Sequence, residues 1–246
     1  MTWFVRSLWP LSILAMLMGA SPSLAWTPAS GIDQALLTLS SVAMKENISR
    51  FAFSRGAPHQ LDSFETEVSI ADGVEQYTEV RGRNRSYRHI SEIGGLWSFG
   101  EIVTMLRTTR DILESSVTNA NGPYREGGSD PLEIRFQSTS ARHQWFVTSV
   151  SRIYWLDFDG VIRISRQTGQ VEQLTWTTRT GATVAGISSI LWDVNFHPVT
   201  VGGVLCTMPA ESVYQVVRAN QTPQWNRTTY AALGRYGSTA DISYGQ

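Results

Sequence analysis

The chain is nearly devoid of cysteine: Cys206 alone stands among 246 residues. No internal disulfide can form, so packing rather than covalent stapling has to hold the fold. Its neighbours Val204, Leu205 and Met208 mark Cys206 as a buried small hydrophobe rather than a reactive thiol. Lysine is equally scarce, with Lys45 the single one, and arginine supplies the other basic residues. An excess of either charge is missing too, since 20 basic and 21 acidic residues give a formal charge of −1. The protein as a whole therefore has no general attraction for nucleic acid or an anionic surface.

Catalytic spacings are absent as well. No Gly-x-Ser-x-Gly elbow and no His-Glu-x-x-His pair occurs. Gly95 and Gly100 have the glycine spacing of a phosphate loop, yet Glu101 and Ile102 stand where a lysine and a hydroxyl residue would be required. His59, His89, His143 and His197 lie too far apart to share a turn as zinc ligands do. No internal repeat of solenoid or propeller length is present. These absences lead to the expectation of a protein that is not an enzyme and uses neither cofactor nor metal.

What is present begins with an export signal. Met1 to Arg6 carries one positive charge, Leu8 to Met18 is apolar apart from Pro10 and Ser12, and Ser23-Leu24-Ala25 puts small side chains at positions −3 and −1 of a cut. Residues 1–25 read as a signal peptide cleaved after Ala25, leaving residues 26–246 as one domain in the periplasm or outside the cell. An uncleaved anchor over Trp3 to Ala20 is the competing reading, disfavoured by Pro10 and by the good cleavage site. Asn-x-Ser/Thr sequences start at Asn47, Asn84, Asn220 and Asn226 and matter only in a glycosylating host.

The first folded element is expected to be a helix, with Ser30 and Asp33 as a capping box and Ile32, Leu36, Leu39 and Ala43 along its apolar face. Strands should follow Asn47. Phe64, Val68 and Ile70 alternate with polar residues, Asp72-Gly73 supplies a tight turn, and Val74 to Arg81 returns. Ser98 and Glu101, clamped by Trp97 and Ile102, start a second helix whose inward face runs through Met105 or Leu106, Thr109 and Leu113. Asn119 to Pro131 reads as an exposed loop. Strand patterns then recur at Leu132–Gln137, His143–Ser151, Ile153–Phe158, Val161–Ser165, Val171–Thr177, Ile190–Phe196, Val213–Arg218, Arg227–Ala232 and Ala240–Tyr244. Their connections are too short for helical crossovers, so the sheet is antiparallel. The class is α+β: a strongly curved half-barrel of about nine to eleven strands, with an N-terminal and a central helix against its concave side.

Three clusters invite a chemical reading. Asp157-Phe158-Asp159-Gly160 could hold a cation or divide acid and base roles, but the third oxygen ligand and closing glutamate of a calcium loop are missing, and a polar strand face ending in an Asp-Gly turn is the preferred reading. Arg81, Arg83, Arg85 and Arg88, interleaved with Tyr87 and His89, read as a solvated hairpin tip or a contact for anionic lipid; export argues against nucleic acid as the partner. Trp145, Trp155, Trp176 and Trp192 fall on expected strands, where wide rings on one face of a curved sheet either line an apolar cleft or fill the core.

The order of elements resembles the periplasmic lipoprotein-carrier superfamily, the LolA, LolB and RseB-like proteins. Ile153-Tyr154-Trp155-Leu156-Asp157, and the stretch from Ile162-Arg163-Ile164 through Thr168-Gly169 to Val171, are similar to that family's strand, Thr-Gly turn, strand passage. Asn226 to Tyr230, Arg235-Tyr236-Gly237 and Ile242 are similar to the closing hairpin of uncharacterised secreted bacterial proteins. The resemblance implies a half-barrel whose concave face holds acyl chains or another apolar ligand. The expected function is thus non-enzymatic binding of a lipid or acylated protein in the hollow of the sheet. The alternative is a protein-interaction or sensing module of the envelope without bound lipid; a hydrolase using Asp157 and Asp159 comes third.

Overall fold

The computed structural model describes residues 27–71, 73–95, 101–117, 125–126, 130–138, 145–149, 152–179, 186–219 and 222–235. The expected leader, the Trp97 and Ser98 entry to the second helix and the expected closing strand from Ala240 lie outside them.

Helix α1 (Pro28–Leu39) is capped three residues before the expected box. Thr27 is the cap: the Ser30 amide donates to Thr27 Oγ1 and the Thr27 amide to Ser30 Oγ, each at 3.2 Å. Pro28 at the first helical position has no N–H to leave orphaned and a φ already suited to the helix, which favours this earlier start. Asp33, released from capping, pairs with Arg110. Ala43 is not in the helix. Ser40 and Ser41 donate back to the Leu37 and Thr38 carbonyls, both at 2.8 Å, and the chain then extends from Val42.

Strands β1 (Val42–Ser54), β2 (Ala57–Ala71), β3 (Val74–Tyr77), β4 (Val80–Gly82) and β5 (Ser86–Tyr87) come next. A 3-10 turn (Ile90–Glu92) and helix α2 (Glu101–Val117) precede β6 (Arg125–Glu126), β7 (Leu132–Ser138), β8 (Phe146–Ser149) and β9 (Arg152–Trp155). The chain continues with β10 (Phe158–Ile164), β11 (Val171–Thr178), β12 (Ile187–Val201), β13 (Val204–Arg218) and β14 (Gln224–Arg235). One antiparallel sheet runs β5-β4-β2-β1-β14-β13-β12-β11-β10-β7-β6, with β3 joined to β2 off this path and β8-β9 forming a separate hairpin. The path does not close on itself, so the molecule is the expected α+β curved half-barrel.

β1 begins before Asn47, at Val42, and its alternation was hard to see because the inward series Val42, Met44, Glu46, Ile48 contains a buried carboxylate. The β1–β2 turn uses Arg55 at φ 51° and Gly56 at φ 80°, the paired left-handed geometry of a two-residue hairpin. Residues 57–63 of β2 pair with β1 on one side and have no outer neighbour among the described residues. Gly73, at φ 71°, turns β2 into β3 as the sequence suggested. The returning strand is split, however, because the Thr78 amide and hydroxyl both donate to the Glu67 carbonyl, at 3.0 and 3.2 Å.

α2 turns Ile102, Met105, Leu106, Thr109, Ile112 and Leu113 toward the sheet, all buried at helical spacing. Its first turn is capped from a distance. Glu75 Oε1 accepts the Ile102 and Val103 amides at 2.9 and 3.0 Å, and Tyr77 donates its hydroxyl to Glu75 Oε2 at 2.6 Å. A carboxylate here satisfies two N–H groups that have no partner within the helix and faces the positive end of its dipole. The main core fills the space between α1, α2 and the sheet, and a second cluster of Ile48, Phe64, Val80, Ile90 and Ile93 sits at the β2–β4 end.

Candidate functional site

Strand register aligns one cross-strand row on the concave face. Phe136 faces Gly160, Gly160 faces Trp176, Trp176 faces Trp192, Trp192 faces Tyr214, Tyr214 faces Asn226, Asn226 faces Arg50 and Arg50 faces Asp62. The row passes from wide apolar rings at one end to an ion pair at the other. Neighbouring strands lie about 4.8 Å apart, so rings in successive strands must touch, and each touch fixes the next.

Gly160 makes the aromatic end possible. A Cβ at this position would lie 2.1 Å from Phe136 ring atoms, so the missing side chain is the space that ring occupies. The Asp-Gly turn expected here is not formed: β10 continues through Gly160 to Ile164. Asp159 faces outward to Arg179, with Arg179 Nε donating to Oδ1 at 3.1 Å, and the Arg179 amide donates to the Asp157 carbonyl at 3.0 Å. Among the described residues no three His, Cys, Asp or Glu side chains gather as a metal would require.

Of the four tryptophans singled out from the sequence, three come together. Trp176 stacks on Phe158 with centroids 4.3 Å apart, and Trp145 contacts Phe158, Trp176 and Trp192 at 5.4, 5.5 and 6.2 Å. Tyr214 meets Trp192 edge-on at 5.3 Å. The fourth, Trp155, is elsewhere. The run from Ile153 to Phe158 is not one strand but breaks at Leu156 and Asp157, and this puts Trp155 on the separate hairpin, packed edge-on against Phe146 at 5.2 Å. Phe136, Phe158, Gly160 and Tyr214 were missed; the period-2 alternation around them was the available signal.

The indole donors of the row differ. Trp176 Nε1 donates to Thr109 Oγ1 of α2 at 3.3 Å, tying sheet to helix. Trp192 Nε1 is buried with no hydrogen-bond partner among the described residues, in a residue only 5% exposed. A buried unpaired N–H costs about 1–3 kcal/mol. This leaves one donor, amid apolar rings, open to an acceptor oxygen.

At the polar end, Arg50 holds Asp62 through two nitrogens, donates to the Gly94 carbonyl and lies 4.9 Å over the Phe64 ring. The outer face carries charged ladders instead of rings. Glu133 lies between Arg163 and Arg135, and the Arg163 hydrogen bond is the main cause holding its carboxyl below the ordinary range. The arginine cluster sits at the exposed β4–β5 tip, where Arg85 lies 4.1 Å over Tyr87 and Arg81 reaches Glu79 at 3.5 Å. Beside it an open polar groove of about 470 Å³ is lined by Asn47, Ser49, Gln60, Ser63, Arg81 and Arg83, among others. Cys206 is buried as expected, whereas Val204 and Leu205 are exposed.

No protein-family model and no curated protein matches the chain. Among solved structures, a DUF1329 family protein from Desulfovibrio piger is similar over 88% of this chain and 96% of its own, at 10% sequence identity and a TM-score of 0.37.

Proposed function

We propose that the protein is a non-enzymatic, exported envelope component that binds an apolar ligand, a lipid or an acylated protein segment, in the hollow of the half-barrel. The observation that carries this reading is the unpartnered Trp192 N–H inside an aromatic wall formed by Trp145, Trp176 and Tyr214. A wall of rings with one fixed donor suits an aliphatic chain bearing a carbonyl oxygen, since rings supply apolar contact and the donor fixes the polar head of the chain. Trp145 reaches the wall from the base of a separate hairpin, so space for a chain would open by moving that hairpin rather than by unfolding the sheet.

A second reading has its own support. Trp145, Trp176 and Trp192 already pack against one another, so a protein-interaction or sensing module whose hollow is filled by its own side chains would look the same. Native mass spectrometry with lipid extraction, on protein purified from its own envelope, separates the two. A co-purifying lipid supports the ligand binder, and Trp192→Phe should then weaken retention of ester- or amide-bearing lipids more than that of plain hydrocarbons. A bare mass and no uptake of added fatty acid would defeat the first reading.

A further inference from the structure

The face of the sheet turned away from the hollow carries more than charged ladders. Arg50 and Asn226 lie on the concave face, so their chain neighbours Phe51 and Trp225 lie on the outer one, directly opposite each other across β1 and β14. Their rings stack with centroids 5.5 Å apart and planes 11° from parallel, and Phe53, 37% exposed, flanks Trp225 at 6.3 Å. The polar groove runs on from these rings along the same face. Ser49 stands two residues before Phe51 on β1, and Gln60 of β2 faces Phe51 because the bulge takes up Leu61 as an extra residue. Ser63 faces Ser49 and Arg81 faces Glu65, so β1, β2 and β4 share one floor. Its charges are paired except at one end: Glu65 holds Lys45 at 2.6 Å and Arg81 reaches Glu79 at 3.5 Å, whereas the exposed Arg83 has no carboxylate partner among the described residues.

We infer that this outer groove binds a glycan chain bearing carboxylate groups. The amides and hydroxyls of Asn47, Ser49, Gln60 and Ser63 both donate and accept hydrogen bonds, which suits a ligand rich in hydroxyls; an isolated anion would need donors alone. Part-exposed rings at one end present negative π faces to the C–H groups on the flat side of a sugar ring. At the other end the free fork of Arg83 matches a carboxylate through two parallel hydrogen bonds. An acyl chain would meet a polar floor here, and the groove is open, so a chain can pass along it instead of being enclosed. The site lies across the sheet from the hollow and does not depend on the ligand proposed there.

Isothermal titration of the purified protein tests this, with oligogalacturonate and oligo-alginate as acidic probes, cellohexaose as a neutral sugar and polyglutamate as a polyanion without sugar. At least one acidic oligosaccharide should bind, about tenfold more tightly than cellohexaose or polyglutamate. Arg83→Gln should erase the advantage of the acidic sugar over the neutral one, and Trp225→Ala should weaken binding of the acidic sugar about tenfold. Binding of neither acidic oligosaccharide overturns the inference. So does polyglutamate that binds as tightly as the sugars, which would mark a surface for acidic peptides, and so does unchanged affinity in either variant. Trp225→Ala also removes the stack on Phe51; if it melts early, Gln60→Ala, at an exposed position, carries the test with the same outcomes.

Discussion

The carboxylate of Glu75 caps the amide of Ile102 across 27 residues of sequence, at 2.9 Å. A residue of β3 thereby serves the end of α2 and joins helix placement to the hairpin that precedes it. Glu75→Gln keeps the shape but removes the charge, and Glu75→Ala removes both. Losses of about 1 and about 2–3 kcal/mol are expected on chemical denaturation. Equal stability of all three proteins would show that the cap contributes nothing.

Gly160→Ala should destabilise by about 1–3 kcal/mol, because the added methyl enters space held by the Phe136 ring. The remedy is specific. Phe136→Leu should cost less in the Gly160→Ala background than in wild type, a coupling that a double-mutant cycle measures. Strict additivity would mean that strand strain, not ring overlap, is responsible.

The two buried indoles provide a paired comparison. Trp176→Phe loses both ring volume and the hydrogen bond to Thr109, whereas Trp192→Phe loses ring volume and an N–H that has no partner among the described residues. The first should therefore be the more destabilising, by about 1 kcal/mol in melts of ligand-free protein. Thr109→Val, which nearly preserves volume, should cost about the same 1 kcal/mol on its own. A reversed order for the indoles would mean that the Trp192 donor is satisfied in solution.

Glu133 gives a dependence on acid. Its carboxyl titrates below its ordinary value of 4.5, chiefly because Arg163 donates to it, with Arg135 adding to the effect. The proton is thus bound more weakly in the folded chain than in the unfolded one. The stability contributed by this carboxylate is fully present above the unfolded value and is lost as pH falls through the lower folded value. Glu133→Gln should therefore flatten the decline of melting temperature below about pH 4.5. Added salt should shrink the difference, since both arginines are exposed.

Much of the sheet was legible because β7, β10, β11, β12, the second half of β13 and β14 keep period-2 alternation between recognisable turns. The failures have local causes. Glu46 occupies an inward position where an apolar residue was sought, which hid the start of β1. Gly160 looked like the end of a strand because glycine so often turns a chain, yet here it makes room for a ring donated by β7. Three of four candidate tryptophans meet because cross-strand register aligns them or a hairpin base delivers them. Trp155 does not, since one break at Leu156 and Asp157 reassigns it to another sheet, and no window around it carries that information. The Glu75 cap was invisible for a similar reason: only tertiary folding brings residue 75 to residue 102.

Pro58 lies in the part of β2 with no outer neighbour among the described residues. In the two-residue hairpin Ser54 and Ala57 close the turn by facing each other, so the next residue, Pro58, turns its nitrogen away from β1. That nitrogen carries no hydrogen. A foreign strand arriving along this rim would find one rung of the ladder without a donor, and the ring of the proline in its way. In a crowded compartment, where unfolded segments constantly sample exposed sheet borders, a single imino acid thus discourages runaway polymerisation while leaving the half-barrel open.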